Sequence, residues 1–412
     1  MGIPRSTLAT LPVCPKSAPD FCLEDVLSES VARVKRRERM QLDQLLADRH
    51  GECVLFGAGS MGRRALAGLR DLGVEPRAFS DNNPLLWGTH IDGLPVLAPD
   101  LAVRRFGADA HFFITIRNEA HCYRDTQQQL QQAGCFSISS AEPIAWRFPD
   151  RFPPFLLYDL PHKLYQQAAQ VLAAGSIWAD EASRQEYFAQ IRLRALGDPS
   201  ALSRFTGKES YILDDVFDLE PDDAFLDCGA FDGDTIRALI ARPKPLGRIE
   251  AVEADSHSFA RLASTVSELD AQMRQRVRLH NCAVGSQLGP VRFEDTGKVD
   301  SKLSSEGEMI VDMVPIDVMF RSKRVSMIKM DIEGGEFDAL TGAAQVIRRD
   351  RPILAICVYH CQQDLWRLPL LMRSLNPDYQ MYLKSYRGDG IQTVAYAVPP
   401  ERVLGPQAGP FM

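Results

Sequence analysis

Twice along this chain a short apolar run ends in a glycine turn and continues into a helix-like stretch. The first is CVLFGAGSMGRRALAGL, starting at Cys53, and the second is FLDCGAFDGDTIRALI, starting at Phe225. A strand buried on both faces of a parallel sheet reads as continuous apolar residues, and a glycine turn feeds it into a crossover helix. Two such units within 412 residues, 45% hydrophobic and 25% charged, predict an α/β protein with two Rossmann-like domains.

The flanking segments fill out that division. Residues 1–50 read as an N-terminal helical segment, with Leu27, Val31, Val34, Leu42, Leu45 and Leu46 near helical spacing. The basic run RVKRRER within it reads as a solvated face. Residues 51–145 read as a small Rossmann-like domain of nucleotide-binding type, and the proline-rich RFPDRFPPF opens a helical connector spanning 146–201. From 202 to 412 strands are expected at AFLDCG, RIEAVEA, VRLHNCAV, VSMIKMD and PILAICVY, with helices between them. The last strands, QMYLKSY and TVAYAV, are joined by a loop so short that only an antiparallel hairpin fits. A parallel sheet ending in such a hairpin is the class I methyltransferase arrangement, whereas a dinucleotide-binding sheet continues with parallel crossovers.

Composition narrows the partners. A formal net charge of -7 leaves no basic footprint for nucleic acid, and no apolar run approaches the ~20 residues of a membrane span. Small molecules, saccharides or proteins remain, a second copy of the chain among them. Nine scattered cysteines without a CxxC pair suggest a reduced, cytoplasmic protein. The N-terminus lacks the apolar core of a signal peptide, though Gly2 and Ser6 fit the loose myristoylation pattern.

The two turns want different ligands. GAGSMGRR has the full GxGxxG spacing at Gly57, Gly59 and Gly62, no acid inside it, and Asp81 at the end of the next strand. Backbone N–H groups at a helix start favour an anion, and Asp81 is placed for a ribose hydroxyl, so a nucleotide or a close packing turn both fit. The second turn instead holds Asp227, Asp232 and Asp234 where a pyrophosphate would lie. One like-charge contact near 4 Å costs about 4 kcal/mol at an effective dielectric of 20, which disfavours a diphosphate. A nucleoside carrying cationic groups fits better, and S-adenosylmethionine has both a sulfonium and an ammonium. Gly229 and Gly233 allow close backbone approach, Phe231, Asp234 and Thr235 complete the turn, and Glu253 ends the next strand within reach of two ribose hydroxyls.

DCGAFDGDT, EAVEAD, NCAVGS, IKMDIEGGEFDALTGA and LAICVYHCQQDLW follow one another in this order. Together they resemble the FkbM family of S-adenosylmethionine-dependent methyltransferases over roughly residues 202–398. The resemblance implies a class I fold and O-methylation, commonly of a sugar or other hydroxyl-bearing natural product. It also implies that Asp227 and Gly229 contact the amino-acid end of the cofactor, Glu253 the ribose, and that Asn281 lies nearby. The chain departs from the family pattern at Ala254, where proline is common, at Gly335 within EGGE, and at Gln392.

For the chemistry, His360 is the expected general base, because imidazole titrates near neutral pH. Asp331 is the second candidate or the group that orients the acceptor hydroxyl. Lys329, two residues earlier on the strand, reads as the partner of a cofactor-site acid, and Glu336 as a helix-start acid. Asp331, Glu333 and His360 offer metal-type ligands at one edge, but the family pattern that the chain resembles requires no metal, so none is assigned. Residues 295–312 are read as an acceptor lid or a mobile surface loop. Two other readings stay open: a nucleotide-sugar oxidoreductase or epimerase using the first glycine turn, and a non-catalytic interaction role for the N-terminal domain.

Overall fold

The computed structural model describes residues 22–118, 121–152, 159–203, 211–244, 246–294, 302–303 and 307–404. Gly2 and Ser6, part of the proline-rich boundary and much of the 295–312 segment lie outside those residues.

Among the described residues the first sheet contains β1 (Cys53–Phe56), β2 (Ala78–Ser80), β3 (His90–Ile91), β4 (Leu94–Leu97), β5 (His111–Ile114) and β6 (Ile138–Ser140). Their order is β3-β4-β2-β1-β5-β6, parallel except for the β3–β4 pair. Every residue of β1 and β5 is buried, as continuous apolar runs require when helices cover both faces.

β5 opens with a histidine that the core tolerates only when neutral. His111 is 3% exposed, and its Nδ1 and Nε2 each lie 2.8 Å from a serine hydroxyl, Ser137 and Ser139. Burial, with Arg49 nearby, pushes its pKa down to about 4. An unfolded histidine titrates near ~6.5, so the unfolded state binds the proton more readily. Stability is then complete above that value and falls as pH drops toward 4, by up to about 3 kcal/mol. Urea melts at pH 7 and pH 4.5 should show this loss in the wild type and a smaller one in His111→Asn.

The second large sheet contains β7 (Ala224–Cys228), β8 (Arg248–Val252), β9 (Val277–His280), β14 (Met327–Met330), β15 (Ile353–Cys357), β16 (Gln380–Ser385) and β17 (Thr393–Val398). Between its halves lie β10 (Ala283–Val284), β11 (Gly289–Glu294), β12 (Lys302–Leu303) and β13 (Met309–Val314). The large sheet runs β16-β17-β15-β14-β7-β8-β9, with β17 antiparallel to both β15 and β16. The chain builds outward from β7 through β8 and β9, then returns to the other side of β7 as β14. The strand order therefore reverses between β7 and β14, and their carboxyl ends form the crevice where open α/β sheets bind ligands.

Three local readings change. The described part of the N-terminal helical segment holds two helices, Leu23–Val26 and Val31–Ala47, because the Ser30 hydroxyl caps the second by accepting from Arg33 N. The basic run is not wholly solvated, since Arg37 donates to Ala195 O and bonds Glu29, while Glu38 is buried against His162. VRLHNCAV is not one strand: β9 stays in the large sheet, and β10 leaves it to pair with β13 in a four-stranded insert.

The connector helix Glu181–Leu196 starts on the Asp180 cap and stops at Gly197, whose φ of 67° is left-handed. It lies along β16, with Ser183 Oγ accepting from Leu383 N and Gln190 donating to Thr393. One apolar cluster runs through Leu55 and Phe113 of the first sheet, Leu193 of this helix, and Phe225 and Tyr396 of the second.

Candidate functional site

The second glycine turn follows from how β7 and β14 run side by side. Their register pairs Asp227 with Lys329 and Cys228 with Met330. Gly229 then turns at φ 80°, and an added Cβ would overlap the Asp331 carbonyl oxygen. What crowds Gly229 is therefore the neighbouring strand end. Gly233 (φ 86°) is crowded less, by the Thr265 and Leu262 side chains, and Phe231 is held at φ 47° with its ring under Arg261.

The three acids of this turn differ from one another. Asp227 is wholly buried, with Lys329 Nζ 3.0 Å from its Oδ1 and also donating to Gly229 O at 2.6 Å. Burial pushes the Asp227 carboxyl up, and the Lys329 ammonium opposes that shift. Asp232 pairs with Arg237 at 2.8 Å, and Asp234, exposed at the helix start, accepts from Thr235 N. Two of the three acids thus already carry a cation, and the turn is less anionic than its sequence implies.

Glu253, 8% exposed just beyond β8, accepts from Phe231 N and Asp255 N, each at 2.8 Å, through its two oxygens. Burial raises its pKa against those donors. Asn281 is exposed and donates to Glu253 O, so it anchors the chain that carries the carboxylate.

Across the crevice, Asp331 accepts from Tyr211 OH at 3.0 Å and Tyr359 OH at 3.2 Å. His360 Nε2 lies 3.2 Å from Asp331 Oδ1 and 3.4 Å from Glu333 Oε1, while Nδ1 lies 2.9 Å from Glu336 Oε1. Burial disfavours a charged imidazole, yet Glu336, Asp331 and Glu333 outweigh it and raise the His360 pKa well above its usual value. This corrects the expectation of a neutral-pH base: with those three carboxylates around it, the ring holds its proton. Burial alone would raise Asp331, but His360, Lys329 and Tyr211 hold it well below the usual carboxylate range. Glu336 is fully buried at its helix start and accepts from Ile332 N. Asp364, pushed up to about 7 by burial and by Glu336, caps Cys361 N behind it.

Asp331 and Glu333 lie beyond the end of the strand, so a bend in the chain rather than strand alternation sets where they point. β14 ends at Met330, and Glu333 and Gly334 both have left-handed φ, 54° and 98°. The chain therefore curls, bringing Asp331, Glu333 and His360 to within 4.8 Å of one another. Tyr211, Tyr359 and Asp364 were not singled out from the sequence. Tyr359 had a signal in its adjacency to His360; Tyr211 had none in spacing.

In the first domain, Gly62 packs on the Gly57 carbonyl and Gly57 (φ 117°) on Ile116, whereas Gly59 faces open space. Asp81 turns inward, accepting from Ala58 N and Asn83 N, so its carboxylate closes the glycine turn. A separate small cleft beside it is lined by Thr115, Arg117, His121, Glu142 and Asp389.

Strand order, reversal point and acidic strand ends together define a class I methyltransferase fold. Residues 227–386 match the model of the Methyltransferase FkbM domain, and the chain is a methyltransferase carrying that domain. The crystal structure of Methyltransferase FkbM from Methylobacillus flagellatus KT is similar over 90% of this chain and 99% of its own, with 21% identity and a TM-score of 0.68. At that identity the likeness is one of fold. Aeropyrum pernix fibrillarin with natively bound S-adenosyl-L-methionine covers 43% of this chain and 67% of its own, at 13% identity and TM-score 0.29. No curated protein matches the sequence.

Proposed function

We propose that the chain is an S-adenosylmethionine-dependent O-methyltransferase acting on a hydroxyl of a sugar, glycoconjugate or related natural product. The observation that carries this reading is Glu253, a nearly buried carboxylate beside the reversal point whose two oxygens are oriented by backbone donors. Each oxygen keeps acceptor capacity for a ribose hydroxyl. Gly229 and Phe231 would border the cofactor, which would supply the methyl group on a sulfonium. Methyl transfer is an in-line displacement, so alignment is the main contribution, worth up to ~7–11 kcal/mol in favourable models. Asp331, steadied by two tyrosines, accepts a hydrogen bond from the acceptor hydroxyl and aims its oxygen. His360 acts as the positioning residue that holds Asp331 and Glu333 together.

No helix among the described residues is long and apolar enough to cross a membrane, and no disulfide joins the described cysteines. A reducing, cytoplasmic setting fits those features.

The test is a calorimetric titration with S-adenosylhomocysteine, expected to saturate at one per chain with micromolar affinity. Glu253→Ala should weaken binding at least ~100-fold, since a hydrogen bond to a charged group contributes about 1.5–3 kcal/mol and two are lost. Unchanged affinity in that variant, or no binding by the wild type freed of co-purified ligand, would overturn the proposal.

A further inference from the structure

The turn after β14 gathers ligand-type atoms more tightly than its partners explain. His360 is 7% exposed, and neither of its ring nitrogens makes a well-directed hydrogen bond, although carboxylate oxygens surround it. Glu336, fully buried and fixed by Ile332 N, occupies the Nδ1 side. Nε2 is thereby aimed into the gap between Asp331 Oδ1 at 3.2 Å and Glu333 Oε1 at 3.4 Å. A carboxylate behind the distal nitrogen of a histidine is the arrangement that orients metal-ligating imidazoles, and a cation bound here would displace the proton that Nε2 otherwise holds, with Nδ1–H kept on Glu336.

The two spacings about Nε2 are those of neighbouring ligands on one ion. Metal–ligand bonds of roughly 2.1–2.4 Å, set at right angles, separate adjacent ligand atoms by roughly 3.0–3.4 Å. Two carboxylates and one imidazole suit a hard-to-borderline divalent ion, and three protein ligands leave positions open. The side-chain exposures of Asp331 and Glu333, 24% and 23%, place those open positions toward solvent.

We propose that Asp331, Glu333 and His360 form a divalent-cation site, of manganese or magnesium type, whose open position takes the acceptor hydroxyl. That last role rests on the methyltransferase reading above; cation binding itself does not. A cation-bound hydroxyl is more acidic than a free one. Its proton passes to water, the oxygen–methyl bond forms as the sulfur–methyl bond breaks, and the sulfonium leaves as a neutral thioether.

The experiment titrates the chelator-treated full chain with MnCl2, following free Mn2+ by electron paramagnetic resonance. One Mn2+ per chain with a dissociation constant of about 100 µM or tighter is expected. Glu333→Gln should weaken it by at least about tenfold. Glu333→Gly, which relieves a left-handed φ of 54° and so keeps the fold, should do the same. Absence of saturable uptake by the wild type, or wild-type affinity in both variants, would overturn the site. A parallel S-adenosylhomocysteine titration separates the two proposals: binding of that ligand without Mn2+ uptake sinks the cation site alone.

Discussion

Lys329→Met is expected to lower folding stability by about 3–5 kcal/mol, the penalty for leaving one partner of a buried ion pair alone. Lys329 is 3% exposed and Asp227 is wholly buried, so water cannot take over the lysine's role. The same ammonium donates to Gly229 O at 2.6 Å, which ties the glycine turn to β14. Its removal should loosen the turn as well as strand a carboxylate, which then takes up a proton rather than stay charged. Adding Asp227→Asn to Lys329→Met should recover a large part of the loss, because no charge is left in the core. Urea melts of the single and double variants decide it. A single variant that melts with the wild type would show that the pair bears no weight in the fold.

The pair also marks where sequence reading stopped. Both residues could be named in advance, and Lys329 could be matched to a cofactor-site acid from its place two residues before Asp331. What remained hidden was burial: the register pairs Lys329 with Asp227 across adjacent strands, so the lysine takes up the acid that a ligand was expected to meet. His360 failed for a related reason. Its position at the strand end was legible, but its ionisation depends on Glu333 and Glu336, which reach it only because the chain curls at Glu333 and Gly334.

The large sheet was legible because β7, β14 and β15 are short apolar runs buried along their whole length, each bounded by a turn signal. The insert was not. In β11 and β13 only Phe293 and Met313 are buried, so the alternation in GPVRFE and MIVDMV has little amplitude. The break at Asn281 depends on a side-chain bond to Glu253 O, which no local pattern announces.

Gly229→Ala is expected to be the most damaging single-atom addition in this region, with a stability loss of about 4 kcal/mol or more. Left-handed backbone at a non-glycine residue costs about 1–3 kcal/mol by itself, and Gly229 sits at φ 80°. The new methyl would also overlap the Asp331 carbonyl oxygen and approach Ile332 Cγ2 to 3.2 Å. Backbone cannot yield there without parting β7 from β14, the two strands whose ends form the crevice. Gly233→Ala shares the left-handed φ but meets Thr265 Cγ2 at 3.1 Å, a side chain able to move, so its loss should be smaller. Gly59→Ala faces nothing within 4 Å and has no left-handed φ, and its cost should stay within about 1 kcal/mol. Thermal melts of the three variants test the ranking, because a close-approach requirement predicts a steep order, whereas a general loss of glycine flexibility predicts three similar values.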